Sequence, residues 1–217
     1  ADVVAGGHAL SPSFLQDQLG RSLRNLGVQS VDYFYLHNPE QQLSVVSSAE
    51  LAARLRTAFV MLEEYVSRGV IGAYGCATWN GLRLPAGSHG HLSLFELARI
   101  AEGVGGKDHH FRVVQLPINL SMSEAVRVST QRDPKGRLVH VTDAAATLGI
   151  DLVASAPLLQ GQLAAGLPDE VREAFPGTTD AQRALAFVRA VPSVVAAAVG
   201  MRSAAHVGEN LAGVRAG

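Results

Sequence analysis

The chain has 217 residues, 47% of them hydrophobic and 17% charged, which suits one soluble globular domain with a substantial core. Its formal net charge is −1, and its basic residues are scattered without interleaved aromatics, so nucleic acid and anionic membranes are disfavoured as partners. A single cysteine, Cys76, excludes an internal disulfide and a cysteine-based zinc site; its apolar surroundings predict a buried, inert thiol.

Leu15, Leu19, Leu23 and Leu26 recur at helical spacing, with Gly27 placed for a left-handed cap and Ser11 or Ser13 placed to cap the start. The aromatic run Ser30 to His37 reads as a strand. Leu51, Leu55, Ala58, Phe59, Leu62 and Val66 then mark a long helix, and Val70 to Cys76 the next strand. A polar, glycine-rich loop from Asn80 to His91 leads to a helix near Leu92 to Ile100. Further strands fall at Phe111 to Leu116, Ile150 to Ala154 and Val194 to Val199. The helices between and after them fall near Val139 to Leu148, Thr179 to Ala190 and Ser203 to Leu211.

Strict alternation of strand and helix predicts right-handed crossovers and a parallel sheet, an α/β fold in one domain, residues 1–217. The continuous apolar run Val194 to Val199 predicts a strand buried on both faces. No G-x-G-x-x-G follows the first strand, which weakens an open dinucleotide-binding sheet against a closed barrel. A (β/α)8 barrel needs eight strands and typically about 250 residues, and five are legible here. The most apolar stretch, Val191 to Met201, is far too short to span a bilayer, and no signal peptide pattern is seen. A cytoplasmic setting is the default expectation.

Local sequence at the strands resembles a known family. Ser22-Leu23-Arg24-Asn25-Leu26-Gly27 through Val31-Asp32-Tyr33-Phe34-Tyr35-Leu36-His37-Asn38-Pro39 is similar to an aldo-keto reductase block. Four more blocks follow in the family's order: Gly69 to Gly75, Val113 to Asn119, Val153 to Leu163, and Val199 to Ser203 with Glu209-Asn210-Leu211. Each is weak alone; five in register, covering essentially the whole chain, identify it as resembling that family. The resemblance numbers the visible strands as the fourth to eighth of a TIM-type barrel, so the first three βα units are expected upstream of Ala1. The missing initiator methionine fits that expectation.

The resemblance implies NADP(H) as cofactor and a small-molecule carbonyl substrate, with a tetrad of tyrosine, lysine, aspartate and histidine. His37 matches the histidine that hydrogen-bonds the substrate carbonyl, the alternative being a structural histidine tied to backbone. Asp32, Tyr33 and Tyr35 read as non-catalytic, the two tyrosines as packing residues. The tetrad's other members belong upstream, and neither Lys107 nor Lys135 lies on a strand. Gln115 matches the glutamine that holds the nicotinamide carboxamide. Ala77-Thr78 replaces the usual Ser-Asn, leaving Thr78 one hydroxyl contact. Ser155 stands where a tyrosine usually stacks on the nicotinamide; Trp79 is either a substitute for it or a buried core residue.

Backbone around Ala156, Leu158 and Gln160 is expected to cradle the pyrophosphate. Gly200, Met201, Arg202, His206, Glu209 and Asn210 match the adenosine region, with Arg202 suited to a 2′-phosphate and Glu209 and Asn210 to the adenine amino group. His206 stands where many relatives have arginine, which leaves NADPH against NADH open. Asp108-His109-His110 has no further ligands at metal-binding spacing, so no metal is expected. The competing reading is a shortened, catalytically silent subunit that retains a nucleotide pocket. A chain of only five strands would expose sheet edges and need self-association or a partner.

Overall fold

The computed structural model describes residues 3–4 and 7–215. A small antiparallel hairpin, β1 (Val3–Val4) and β2 (His8–Ala9), precedes α1 (Pro12–Leu26). The α1 stripe buries Leu15 and Leu19, and Gly27 at φ 67° closes it with N–H bonds to Leu23 and Arg24 carbonyls. Ser11 is the N-cap residue, but its side chain does not cap; its hydroxyl lies 3.4 Å from that of Ser13. Pro12, which has no N–H to satisfy, starts the helix instead.

Next come β3 (Val31–His37), a 3-10 turn (Pro39–Ser44), α2 (Ser48–Ser67) and β4 (Ile71–Ala77). They are followed by α3 (Leu94–Gly105), β5 (Phe111–Pro117) and α4 (Glu124–Arg127). A second hairpin, β6 (Gln131–Arg132) and β7 (Leu138–Val139), leads into α5 (Val141–Leu148) and β8 (Asp151–Ser155). The chain ends with α6 (Asp169–Ala174), α7 (Asp180–Ala190), β9 (Val194–Ala197) and α8 (Ala204–Arg215). The Ser47, Ser93 and Thr179 hydroxyls accept backbone N–H bonds at the starts of α2, α3 and α7.

The five principal strands form one parallel sheet in the order β3-β4-β5-β8-β9, each expected strand beside its neighbour in sequence. Among the described residues the arc is open: β3 and β9 are its two edges. The helix side of the arc is the core. Leu36, Tyr74, Cys76, Val114, Leu116, Leu152 and Ala154 are fully buried there, against stripes such as Leu55, Phe59 and Leu62 of α2. Rings of Phe59, Tyr74 and Phe111 lie 5.0–5.9 Å apart.

The inner face is covered at its centre and uncovered at its edges. Val195 is 58% exposed and Ala196 exposed, so the apolar run at β9 is not buried on both faces as its composition predicts. The reason is its edge position: no strand covers it on one side. Tyr33, expected as packing, is 43% exposed at the opposite edge, and Tyr35 is half-buried. Burial, Tyr33 and Asp151 together push the Tyr35 hydroxyl up to about 12.

Two contacts hold the sheet's geometry. A Cβ on Gly75 would collide with the Val113 carbonyl oxygen, at the place where the β4–β5 register shifts. At the amino ends of the strands, Glu63 of α2 accepts bonds from the Tyr74 hydroxyl (2.9 Å), the His110 backbone N–H (2.8 Å) and His110 Nδ1 (2.7 Å). Burial raises the Glu63 carboxyl, but these donors outweigh it and hold it below the usual carboxylate range.

Gly75→Ala is expected to lower unfolding free energy by at least about 2 kcal/mol in urea titrations, because backbone rather than side chain must move. Glu63 is lowered on folding, so its stabilisation is full above its unfolded value and fades as pH falls through its folded one. The urea midpoints of parent and Glu63→Gln are therefore expected to differ near neutrality and to converge in acid.

Candidate functional site

Because all five strands are parallel, their carboxyl ends share one rim. The register sets His37 beside Ala77, Ala77 beside Gln115, Gln115 beside Val153 and Val153 beside Ala196. His37 and Gln115 thus occupy one layer with only Ala77 between them, about 10 Å apart at the backbone.

His37 is exposed, and among the described residues its imidazole makes no hydrogen bond. Its backbone carbonyl accepts from His8 Nε2 at 2.7 Å. Gln42, fully buried, donates from Nε2 to His8 Nδ1 (2.7 Å) and accepts from Arg54 at Oε1 (2.6 Å). That chain sets the His8 tautomer with its proton on Nε2 and clamps the strand end, leaving the His37 ring unused. Asn38, at φ 47°, then turns the chain away from the sheet while its N–H bonds the Ala77 carbonyl at 2.6 Å.

Thr78 follows β4 and is 4% exposed, with its Oγ1 buried and unpartnered among the described residues. Its backbone N–H bonds the Gln115 carbonyl at 2.8 Å. Gln115 and Ser155 are half-buried on β5 and β8. Trp79 is 43% exposed, which corrects the buried-core alternative: it sits on the rim past the end of β4, where no helix covers it.

Beyond β8 the backbone is strained. Ala156 (φ 48°), Leu159 (φ 45°) and Gln160 (φ 54°) all occupy the left-handed region that disfavours side chains, followed by Gly161 at φ 91°. Asn119, fully buried, holds this loop from β5: its Nδ2 donates to the Ala156 carbonyl at 2.9 Å, and its Oδ1 accepts from Ser121 and Met122 N–H.

A cavity of about 550 Å³ opens between this loop and the start of α8. Ala156, Leu158 and Gln160 line one side; Gly200, Met201, Arg202, His206, Glu209 and Asn210 line the other. Nine of the twelve residues expected to touch cofactor therefore meet in one place. Thr78, Gln115 and Ser155 lie outside its lining, on the strand ends. Ser203 caps α8 by accepting the His206 N–H (3.3 Å), and His206, Glu209 and Asn210 from the first turns of that helix line the cavity.

Gln182 of α7 fixes α8, donating to the Glu209 carbonyl at 3.0 Å. Asp180 ties the preceding loop through Arg172 (2.9 Å) and the Leu167 N–H (3.0 Å), and Arg172 holds its carboxyl well below the usual range. Asn119 and Gly161 escaped sequence reasoning as site residues, although both lie in the quoted blocks.

The remaining basic and histidine candidates lie elsewhere. Lys107 is in the 3-10 turn (Gly106–Asp108) before β5, and Lys135 in the turn between β6 and β7. His110 is engaged by Glu63. Among the described residues, no group of three or more His, Cys, Asp or Glu is arranged to hold a metal ion. Cys76 is buried, and burial, then Glu40, push its thiol up. No helix among the described residues is long and apolar enough to cross a membrane.

Residues 4–215 match the Aldo/keto reductase family. No curated protein matches the chain. Among solved structures it is similar to a thermostable aldo-keto reductase, Tm1743, in complex with the inhibitor epalrestat: 18% identity, TM-score 0.63, covering 95% of this chain and 62% of that one. It is similar also to aldo-keto reductase AKR11C1 from Bacillus halodurans in its holo form, at 17% identity and TM-score 0.61, covering 96% and 63%. A third is an aldo/keto reductase from Klebsiella pneumoniae in complex with NADP and acetate, at 20% identity and TM-score 0.61, covering 92% and 59%. At such identities the likeness concerns the fold. The chain spans about three fifths of the length of each.

The strain at Gln160 has a measurable consequence. Gln160→Gly is expected to leave stability unchanged or raise it by up to about 1 kcal/mol, whereas Gln160→Val, β-branched at positive φ, is expected to lower it by about 1–2 kcal/mol. Urea unfolding of the two variants distinguishes them.

Proposed function

The chain belongs to the aldo/keto reductase family, and on that premise we propose that it is part of an NADPH-dependent oxidoreductase reducing aldehydes or ketones to alcohols. The observation that carries this reading is the cavity beyond β8, where a strained backbone loop faces a helix amino terminus and Arg202. Such a pairing suits a dinucleotide: backbone amides and a helix end for the pyrophosphate, a guanidinium for the 2′-phosphate. Thr78 Oγ1, buried without a partner, adds an orphaned hydroxyl at the strand end where the carboxamide would lie. The residues present fit the group.

In this reading the nicotinamide, when bound, supplies the hydride. Gln115 and Thr78 hold its carboxamide, the amide of Gln115 serving as both donor and acceptor. Ser155 lies beside the ring without stacking on it. Ala156, Leu158 and Gln160 hold the pyrophosphate, with Gly200 and Met201 giving it room at α8. Glu209 and Asn210 receive the adenine amino group, and His206 flanks the adenosine beside Arg202. His37, with its ring unengaged, donates to the substrate carbonyl oxygen and orients it for attack. The tyrosine, aspartate and lysine of the tetrad, and the three βα units that complete eight strands, belong upstream of Ala1. A cytoplasmic setting completes the reading.

The uncovered edge residues Tyr33 and Val195 favour a second reading, a five-stranded, catalytically silent subunit that keeps the nucleotide cavity and covers its edges with a partner or a second copy.

Titrating the intact protein with NADPH and following nicotinamide fluorescence and oxidation with a simple aldehyde tests both. Turnover supports the enzyme reading; binding without turnover supports the silent subunit; no binding sinks both. Arg202→Ala is expected to weaken NADPH about tenfold, or about 1.4 kcal/mol, while changing NADH little. An equal loss for the two nucleotides would remove Arg202 from the 2′-phosphate.

A further inference from the structure

One carboxylate ties the loop after β4 to the end of β3. Glu40 lies three residues beyond His37, in the turn Pro39–Ser44. Its Oε1 accepts the backbone N–H groups of Trp79 (2.8 Å), Asn80 (3.2 Å) and Gly81 (3.3 Å). From the other side, Arg83 donates to the Trp79 carbonyl at 3.2 Å, and is itself held by both oxygens of Glu124 at 2.7 and 3.2 Å. Leu92 closes the loop by donating to the Gly81 carbonyl at 2.7 Å. A Cβ on Gly81 would press on Leu92 and Glu40, so the loop is packed as closely as its sequence permits.

The arrangement is costly. Glu40 Oε2 is buried with no partner among the described residues, and an unpaired carboxylate oxygen loses hydration without return. Yet the side chain at the centre of this bracing is not in the core: the Trp79 indole is 43% exposed. An indole left uncovered on a fixed backbone is available for contact from outside the chain, and tryptophan is enriched where contacts carry binding energy. The strand register places Trp79 on the rim two residues past Ala77, the residue that pairs with His37 in the layer.

We infer that Trp79 is a specificity-determining wall of the substrate entrance beside His37, and that Glu40 is its positioning residue. The class of substrate selected is a carbonyl compound bearing an aromatic or similarly flat apolar group, which the indole face covers. This rests on the oxidoreductase reading above. Glu40 acts through the loop backbone and touches no reacting atom.

The test uses the intact protein with NADPH and two probes, benzaldehyde and propanal. The measured quantity is the ratio of their kcat/KM values. Trp79→Leu is expected to lower that ratio at least about tenfold, mainly through the KM for benzaldehyde. Glu40→Ala is expected to shift it the same way, and Glu40→Gln, which keeps a neutral acceptor for the N–H groups, to restore much of it. Trp79 is the only tryptophan of these 217 residues, so the emission lost in Trp79→Leu isolates its signal; Glu40→Ala is expected to make that signal more quenchable by acrylamide.

Trp79→Leu alters an exposed side chain, so the specificity role stays testable even if Glu40→Ala fails to fold; Glu40→Gln then carries the positioning test. An active protein whose variants keep the parent ratio overturns this inference alone. So does a Trp79→Leu whose main loss is NADPH affinity, since the indole would then face the cofactor. Unchanged quenching in a folded Glu40→Ala overturns the positioning role. A parent that reduces neither aldehyde overturns the oxidoreductase reading, and the specificity role with it.

Discussion

The close approach of β4 to β5 at Gly75 governs the geometry of the rim. Parallel strands carry side chains in layers, and the layer that matters runs from His37 through Ala77 and Gln115 to Val153. On the amino side of that layer the β4–β5 register slips between Tyr74 and Gly75. The slip is possible because residue 75 has no side chain to meet the Val113 carbonyl. Slipped by one residue elsewhere, Gln115 would turn from the inner face into the helix-side core. The Glu63 cluster fixes the other end of the same strand pair, since its carboxylate holds both Tyr74 of β4 and His110 just before β5. Packing at the amino ends and register at Gly75 together decide what faces the site.

From that constraint follows the sheet's asymmetry. Outward-facing Tyr74, Cys76, Val114, Leu116, Leu152 and Ala154 of the central strands meet helices and are fully buried, which gives the arc a core of its own. Inward-facing residues meet only one another. In the centre this suffices, and Val113 and Val153 are covered. At β3 and β9 it does not, and Tyr33 and Ala196 are left open beside unpaired backbone. Exposure of this kind is what a sheet edge shows when the elements that would cover it are not among the described residues.

The five strands and their crossover helices were legible because periodicity changes from helical to extended at each junction, and Gly27, Gly69 and Gly149 punctuate it in left-handed turns. Burial of β9 was not legible: an apolar run states what a strand prefers and not which neighbours it has. Trp79 misled for a related reason, since large aromatics are usually covered and this one is held uncovered by bonds to its backbone. The two-residue hairpins carry too few residues for any period. In the site, side-chain candidates emerged from the blocks, whereas Asn119 and Glu40 did not. Both act on the backbone of distant loops, Glu40 on residues about forty positions away, and no local pattern encodes that reach.

Strain and unpaired polar atoms gather at the carboxyl rim, although the amino end carries two of its own among the described residues, Ser193 at φ 67° and the unpartnered His109 Nδ1. Left-handed Ala156, Leu159 and Gln160, and the unpartnered Thr78 and Glu40 oxygens, all lie on loops at the carboxyl rim. Each costs stability, of order 1–3 kcal/mol for a strained residue, and persists only where surrounding contacts over-determine it. Those contacts are identifiable: Asn119 on the Ala156 carbonyl, three N–H groups on one Glu40 oxygen, and Gln182 on α8. The opposite end of the sheet is instead built around a carboxylate whose oxygens are both satisfied, Glu63. The carboxyl rim thus holds donors and acceptors in fixed positions and leaves the Thr78 and Glu40 oxygens unpaired, while the Glu63 cluster at the amino end pairs its own groups. A rim arranged in that way is pre-organised for groups that come from outside the chain.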